Sequence, residues 1–479
     1  MGKITCIENL DWAAAWDADA GRHVYRRGID VVFKGNEIVH VGPGYDGPAD
    51  AKVDGRGLFA MPGLIDLHSH PSSEPAFKGI REEHGVPEMY MTGLYERSLA
   101  YHLDEDGQKA CAEVAYSELL ASGVTTLAEL SFDYDGWIDL MAKSGLRGYV
   151  APGYASSRWL LENNHELKFV WDEAAGRRGL DRALGLIDAA EQHASGRLKG
   201  MIYPAQIETC TQELLRDSAA VARESGRPIT THVSQSVVEF QEIVRRHGKT
   251  PVQWAAEIGL LGPDCILGHA IFIDEHSRLG WHTATDLGLL AETGATVAHC
   301  PTPFARYGDT LQDFGRYLRA GVTMGMGTDT SPHNMLEEMR WAAVLARIAA
   351  NDITTVDTAD IFHAATVGGA AALGRDDLGR LAPGMKADIV LVDLTDLGMM
   401  PARDPLRSLI YTAAERAVRD VYVDGAQVVA DRKVLTLDRA DAAGRLAEAQ
   451  ARMIKDVPQH DYAGRTAEDI TPLSLPLVT

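Results

Sequence analysis

The stretch Pro62-Gly63-Leu64-Ile65-Asp66-Leu67-His68-Ser69-His70 decides how the rest of this chain is read. An apolar run entered through Pro-Gly predicts a short buried β-strand. Residues two apart on a strand share a face, so His68 and His70 can both address one ligand from the strand's end. Three more apolar runs finish in the same way. Ile229-Thr230-Thr231-His232 presents His232, Cys265-Ile266-Leu267-Gly268-His269 presents His269, and Thr323-Met324-Gly325-Met326-Gly327-Thr328-Asp329 presents Asp329. A single histidine in such a place is more often a hydrogen-bonded core residue than a ligand. Four strand ends of this type in one chain form a pattern.

Working outward, eight apolar runs lie at 64–68, 124–130, 146–151, 199–204, 228–232, 264–269, 294–299 and 322–328. Amphipathic segments such as 106–121, 211–224 and 237–246 separate them. Alternation of this kind predicts an α/β protein built on a (β/α)8 barrel, whose C-terminal strand ends converge on one mouth. Both ends of the chain read differently. Val31-Val32-Phe33 and Ile38-Val39-His40-Val41 flank a Lys34-Gly35-Asn36-Glu37 turn, and Ile389-Val390-Leu391-Val392 and Val421-Tyr422-Val423 also read as strands beside turns. The expected organisation is a small discontinuous β-sandwich from residues 1–57 and 384–479 around a barrel at 58–383.

The composition bounds the function. The 479 residues carry 46 Lys and Arg against 68 Asp and Glu, a net charge of −22. That argues against nucleic acid or an anionic membrane as partner, since both call for a basic face. At 46% hydrophobic and 24% charged the chain is ordinary for a globular protein. A chain this long folds without a structural metal, so a metal site here has a chemical use. The five cysteines are scattered, with no CxxC pair, and the N-terminal residues lack the apolar core of a secretory signal. The expectation is a cytoplasmic homo-oligomer acting on a small molecule, with no membrane span.

With these pieces in place the chain resembles the amidohydrolase superfamily, in its metal-dependent deaminase and chlorohydrolase branch. The PGLIDLHSH, TTH, LGH, AHCP and GMGTD segments carry the likeness, as do the flanks GRGLFAMPG and GRLAPGMKADIVLVD. The resemblance implies one divalent transition metal, Zn²⁺ first with Fe, Co or Mn as alternatives, held by His68, His70, His232 and Asp329. It implies Asp329 as proton acceptor and His269 as a second catalytic group beside the attacking water. Three imidazoles and a carboxylate suit such an ion and leave room for water. Relatives with two metals carry a lysine on the fourth strand. Here that strand offers only Lys199, at its far end, so one metal is expected.

Two departures bear on substrate. Deaminases of this branch have His-x-x-Glu after the fifth strand, whereas this chain has His232-Val233-Ser234-Gln235, and Gln235 cannot supply a proton. The nearest carboxylate, Glu239, lies a further turn along and is expected to point away. After His299-Cys300-Pro301 the sequence runs Thr302-Pro303-Phe304 where relatives have a polar pair. Both changes favour hydrolysis of a C–N bond in a neutral, aromatic or apolar urea, amide, carbamate or thiocarbamate. The alternatives are a deaminase or dechlorinase of an N-heterocycle and, from another class, an inactive scaffold. Substrate contacts are expected from Gln235, His299, Phe304, Trp159, Tyr154 and His84. Phe77, Arg81, Glu83 and Arg158 share those loops. His333 reads as an exposed loop residue, Cys300 as an inert thiol, and Trp137, Trp171 and Trp254 as packing in helical segments.

Overall fold

The computed structural model describes residues 2–80, 85–86 and 89–478. Its centre is an eight-stranded barrel: β1 (Leu64–Ser69), β2 (Val124–Ser131), β3 (Arg147–Tyr154), β4 (Leu198–Gly200, resumed at Tyr203–Pro204), β5 (Ile229–Val233), β6 (Cys265–His269), β7 (Thr296–His299) and β8 (Thr323–Met326). Strands β1 to β4 pair in parallel and in order, as do β5 to β8. Isolated bridges close the two halves into a cylinder, Ile202 to Ile229 and Gln206 to His232 on one side and Ser69 to Asp329 on the other. All eight expected strands are present. The three amphipathic segments form helices Glu105–Ala121, Gln212–Ser225 and Val237–His247, with Asp104, Thr211 and Ser236 as N-caps. Each cap side chain accepts a backbone N–H that the first turn leaves without a partner.

Alternation along the strands sorts the core into two layers. Ile65, Leu67, Ala128, Leu130, Tyr149, Ala151, Met201, Tyr203, Ile266 and Ala298 form one cluster that fills the barrel. Their neighbours Leu127, Val150, Ile202, Ile229, Val233, Leu267 and Val297 belong to a second, between strands and helices. Both faces of a parallel sheet are thus buried, which is why the strands read as continuous apolar runs.

The chain ends meet as expected. Strands Ile4–Leu10, Ile29–Lys34, Glu37–Gly42 and Ala51–Asp54 make one sheet. A second, seven-stranded sheet joins Trp12–Asp17, Arg22–Arg26 and Leu58–Pro62 to Ile389–Asp393, Val418–Val423, Ala426–Ala430 and Lys433–Val434. Leu58–Pro62 pairs with Ile389–Asp393 residue for residue, so this sheet takes five residues that sequence reading assigns to the barrel. Among elements without a counterpart in the sequence reading are a hairpin of Ser157–Leu161 and Leu167–Trp171 and a long helix, Arg439–His460, packed on Glu105–Ala121. Trp171 sits on that hairpin, 42% exposed under the Arg246 guanidinium, and is not a helical packing residue. No described helix is long and apolar enough to cross a membrane.

Arg147, opening β3, ties the barrel to the terminal sheet. Its guanidinium donates through Nε and Nη2 to Asp388 at 3.1 Å each and to Asp424 at 2.9 Å, with the Arg147 and Asp388 side chains both about 95% buried. Removing one partner of a buried pair strands the other's charge, whereas an apolar replacement of similar volume keeps the packing. Arg147→Ala is expected to lower unfolding free energy by about 3–5 kcal/mol. The loss in Asp388→Ala/Arg147→Met should be distinctly smaller, and chemical denaturation of the three proteins checks the order.

Candidate active site

Parity decides which strand-end residues reach the barrel mouth. On β5, Thr230 and His232 share the inner face, and on β8 the inner series Gly325, Gly327, Asp329 runs beyond the strand. On β1 the inner residues are Ile65 and Leu67, which would send His68 and His70 outwards. The β1–β2 register is irregular between Asp66 and Ser69, and such a bulge re-aims the side chains that follow it. Both imidazoles therefore turn inwards. His68 fits only because two glycines lie beneath it: a Cβ on Gly268 would stand 2.6 Å from His68 Cε1, and one on Gly327 2.8 Å from its Cβ. His269 and Asp329 themselves have positive φ, 85° and 58°, a conformation that bulky residues adopt only where the surroundings impose it.

The five groups converge. His70 Nε2 lies 3.3 Å from His232 Nε2 and 3.3 Å from Asp329 Oδ1. His68 Nε2 is 3.6 Å from Asp329 Oδ1, and His269 Nε2 is 3.9 Å from Asp329 Oδ2. The backbone settles the tautomers. His70 Nδ1 donates to the Leu130 carbonyl at 2.7 Å and His232 Nδ1 to the Ala205 carbonyl at 2.6 Å. A carbonyl only accepts, so each Nδ1 holds its proton and each Nε2 in the neutral ring is a lone pair. Two lone pairs thus face one another at 3.3 Å, a repulsive arrangement unless a cation binds both. Tetrahedral zinc with bonds of about 2.0–2.1 Å places neighbouring ligand atoms about 3.3 Å apart. Both ring nitrogens of His68 are also buried without a hydrogen-bond partner. The donor set of His68, His70, His232 and Asp329 fits a divalent metal, with His269 alongside.

Electrostatics agree for three of the four rings. Burial pushes His232 well below the usual imidazole range, reinforced by His68, His269 and His70. Burial likewise lowers His269 and His68. Burial thus favours the neutral, ligating form of His232, His269 and His68, whereas at His70 the neighbouring Asp329 carboxylate outweighs burial and shifts the ring upward. Burial works against the Asp329 carboxylate, but the adjoining His269, His68 and His70 rings outweigh it and hold the carboxyl well below its usual range.

Above the cluster opens a cavity of about 410 Å³, lined by His70, His232, His269 and Asp329 at its floor. Its walls include Met91, Leu94, Phe132, Trp159, Phe304 and Tyr307, with the buried Arg97–Glu74 ion pair at 3.0 Å. Of the expected contacts, Gln235, Phe304 and Trp159 line the cavity, the Phe304 ring 4.5 Å from that of His269. Tyr154 does not. It follows Val150 and Pro152 on the outer face of β3, and its hydroxyl meets Ser218 at 2.7 Å among the helices. His299 does not either, because it shares the outer face of β7 with Val297 and packs against Phe314; burial there pushes it down to about 3. His84, with Arg81 and Glu83, lies outside the described residues.

His333 is fully buried rather than exposed, because Glu118 of helix Glu105–Ala121 receives its backbone N–H at 3.3 Å and lies 3.8 Å from its ring. Glu239 does point away from the cavity, but not into solvent: its carboxylate folds back to accept the N–H groups of Ser234 at 2.5 Å and Gln235 at 2.7 Å. Cys300 is a buried thiol that burial raises well above its usual range. The sequence reading missed Gln206, on the segment after β4, which lines the cavity beside Gln235. Its signal was a polar residue directly after a strand end.

Comparison with known proteins follows the same lines. Residues 59–428 match the Amidohydrolase family. The chain belongs to that family. Among its relatives is a 5-methylthioadenosine/S-adenosylhomocysteine deaminase from Thermococcus onnurineus, 31% identical over 414 residues, which are 86% of this chain and 90% of that protein. A 5'-deoxyadenosine deaminase from Methanosarcina mazei is 29% identical over 88% of this chain and 92% of its own. In structure, this amidohydrolase superposes on a zinc-bound adenosine deaminase from Xanthomonas campestris with a TM-score of 0.80 at 24% identity, covering 94% of this chain and 98% of that one. The zinc-bound atrazine chlorohydrolase from Arthrobacter aurescens gives 0.80 at 24%, covering 93% and 100%. The chain is a hydrolytic enzyme of the amidohydrolase family, and these relatives by sequence are deaminases, which act at carbon–nitrogen bonds.

Two variants test this geometry. Gly268→Ala pushes a methyl into His68, and should cut bound transition metal by at least tenfold at limiting metal while leaving far-UV circular dichroism unchanged. Burial opposes ionisation of Glu118, but His333 and Lys78 outweigh it and bring the carboxyl to about 2. A carboxyl depressed in the folded state adds stability above its unfolded value near 4.5, and that stability drains as pH falls towards 2. Glu118→Gln should therefore cost on the order of 2–3 kcal/mol at pH 7, and the gap from wild type should close progressively below pH 4.5 in denaturation series.

Proposed function

We propose that this amidohydrolase hydrolyses a C–N bond at a trigonal carbon of an aminated N-heterocycle with a largely apolar body. The facing Nε2 atoms of His70 and His232 carry the reading, since they mark where a cation belongs and therefore where water is activated. His68, His70, His232 and Asp329 would hold one divalent ion, zinc first. Such an ion supplies an acidified water, available as hydroxide near neutral pH. Asp329 has the lowered carboxyl needed to stay ionised and accept a proton at Oδ2. His269 Nε2, 3.9 Å from that oxygen, is placed to donate a hydrogen bond to the substrate nitrogen or oxygen on which charge develops. Phe304, Trp159 and Met91 exclude bulk water from the floor.

The relatives' adenosine-derivative chemistry moves the emphasis from ureas and carbamates to heterocycles. A specific observation keeps the second reading in view. Gln235 occupies the place of the proton-shuttling glutamate, and a urea or amide leaving group makes less demand on that acid. Protein reconstituted with zinc decides between the two. Assayed against 5'-deoxyadenosine, aminated triazines and aryl ureas, it is expected to release ammonia from an aminated heterocycle, with loss of at least 1000-fold in kcat/KM in His70→Ala. Turnover of aryl ureas alone would replace the heterocycle reading with the urea one, and less than about half an equivalent of tightly bound metal would remove both.

A further inference from the structure

We propose that Gln206 and Gln235 form a paired-amide reader that selects a neutral substrate edge bearing a hydrogen-bond donor beside an acceptor. Resting on the C–N hydrolase reading, this inference names the group that the site grips.

The two residues come from different elements. Gln235 follows β5 and Gln206 follows β4, and the backbones meet in a bridge between Gln206 and His232. The Gln235 amide NH2 donates to Gln206 Oε1. Both residues line the cavity that also contains His232, His269 and Asp329. Gln235 is held at two points, because Glu239 accepts its backbone N–H at 2.7 Å and that of Ser234 at 2.5 Å. Ser234 has φ 57°, so the loop is fixed in a conformation that the Glu239 carboxylate secures. Glu239 is thus a positioning residue for the pair.

One amide–amide hydrogen bond consumes one NH and one oxygen. What remains is one amide oxygen on Gln235 and one NH2 on Gln206. If oxygen and nitrogen exchange on both side chains at once, the remaining set is again one oxygen and one NH2, so the outward chemistry does not depend on amide orientation. A ligand meets this face best when it offers an N–H next to a C=O or a C=N. An amidine edge of an aminated ring and an amide edge of a lactam or urea share that pattern. Neither amide titrates, so the grip is independent of pH, unlike that of a carboxyl at the same place. A buried polar edge left unmatched forfeits its hydrogen bonds, which is how such a site rejects ligands lacking the donor.

The test is ligand-observed NMR titration of the zinc-loaded protein with four probes: 2-aminopyridine and 2-pyridone, and the blocked 2-(dimethylamino)pyridine and 1-methyl-2-pyridone. Wild type is expected to bind at least one open probe fivefold or more tighter than its blocked partner. The pair that shows the larger ratio tells amidine from amide recognition. Gln206→Met and Gln235→Met should each bring the ratio close to one with zinc content unchanged. Equal binding of open and blocked probes by wild type, or a ratio that survives both substitutions, overturns the proposal. Because these probes report binding alone, failure of the heterocycle reading in the ammonia assay would leave this result standing and identifiable.

Discussion

Two imidazole lone pairs facing each other at 3.3 Å are the constraint on which this molecule turns. They are held there by N–H bonds from His70 and His232 to carbonyls of neighbouring strand segments, Leu130 in β2 and Ala205 after β4. The barrel wall therefore sets the ring orientations before any ligand arrives, and pre-set donors lose little entropy on binding. The price is local strain: positive φ at His269 and Asp329, a register fault in β1, and glycines at 268 and 327 where any side chain would press on His68.

Much of this was legible in the sequence because a strand's period of two is so strict. The eight apolar runs became eight strands, and the donors at their ends came together. The same period, applied further, explains the misses. His299 and Tyr154 stand at strand ends, yet their parity matches the outer residues Val297 and Val150, so they serve the packing against helices. His68 and His70 would have failed the same test but for the bulge, which no propensity announces. The places of Trp171 and of the buried His333 depend on pairings between distant segments, and local pattern carries no trace of those. The hairpin at 157–171 interrupts the β–α alternation with a second short period-two pattern, easily merged into the neighbouring helix.

The cavity separates reaction from recognition along the chain. Groups that bear on the bond to be cut lie at strand ends of the barrel. The upper walls of the cavity come from connecting segments: Phe304 after β7, Trp159 on the hairpin after β3, Met91 and Leu94 between β1 and β2. Loops tolerate replacement better than strands, so this architecture lets substrate preference drift while the water-activating floor stays put. Arg97 and Glu74 pair within a wall that is otherwise mostly apolar.

The joining of Leu58–Pro62 to Ile389–Asp393 has a consequence for how the molecule comes into being. A ribosome releases residue 58 long before residue 389, so Leu58–Pro62 emerges with Trp12–Asp17 on one side but without its partner on the other, which follows only after the barrel. Contacts so distant in sequence close late and slowly. The seven-stranded sheet can therefore close only once residues 389–434 are made, with Arg147 reaching across to Asp388 as the barrel's side of the latch. A chain cut short before Ile389 would present Leu58–Pro62 as a bare apolar edge, an open invitation to other unfinished chains.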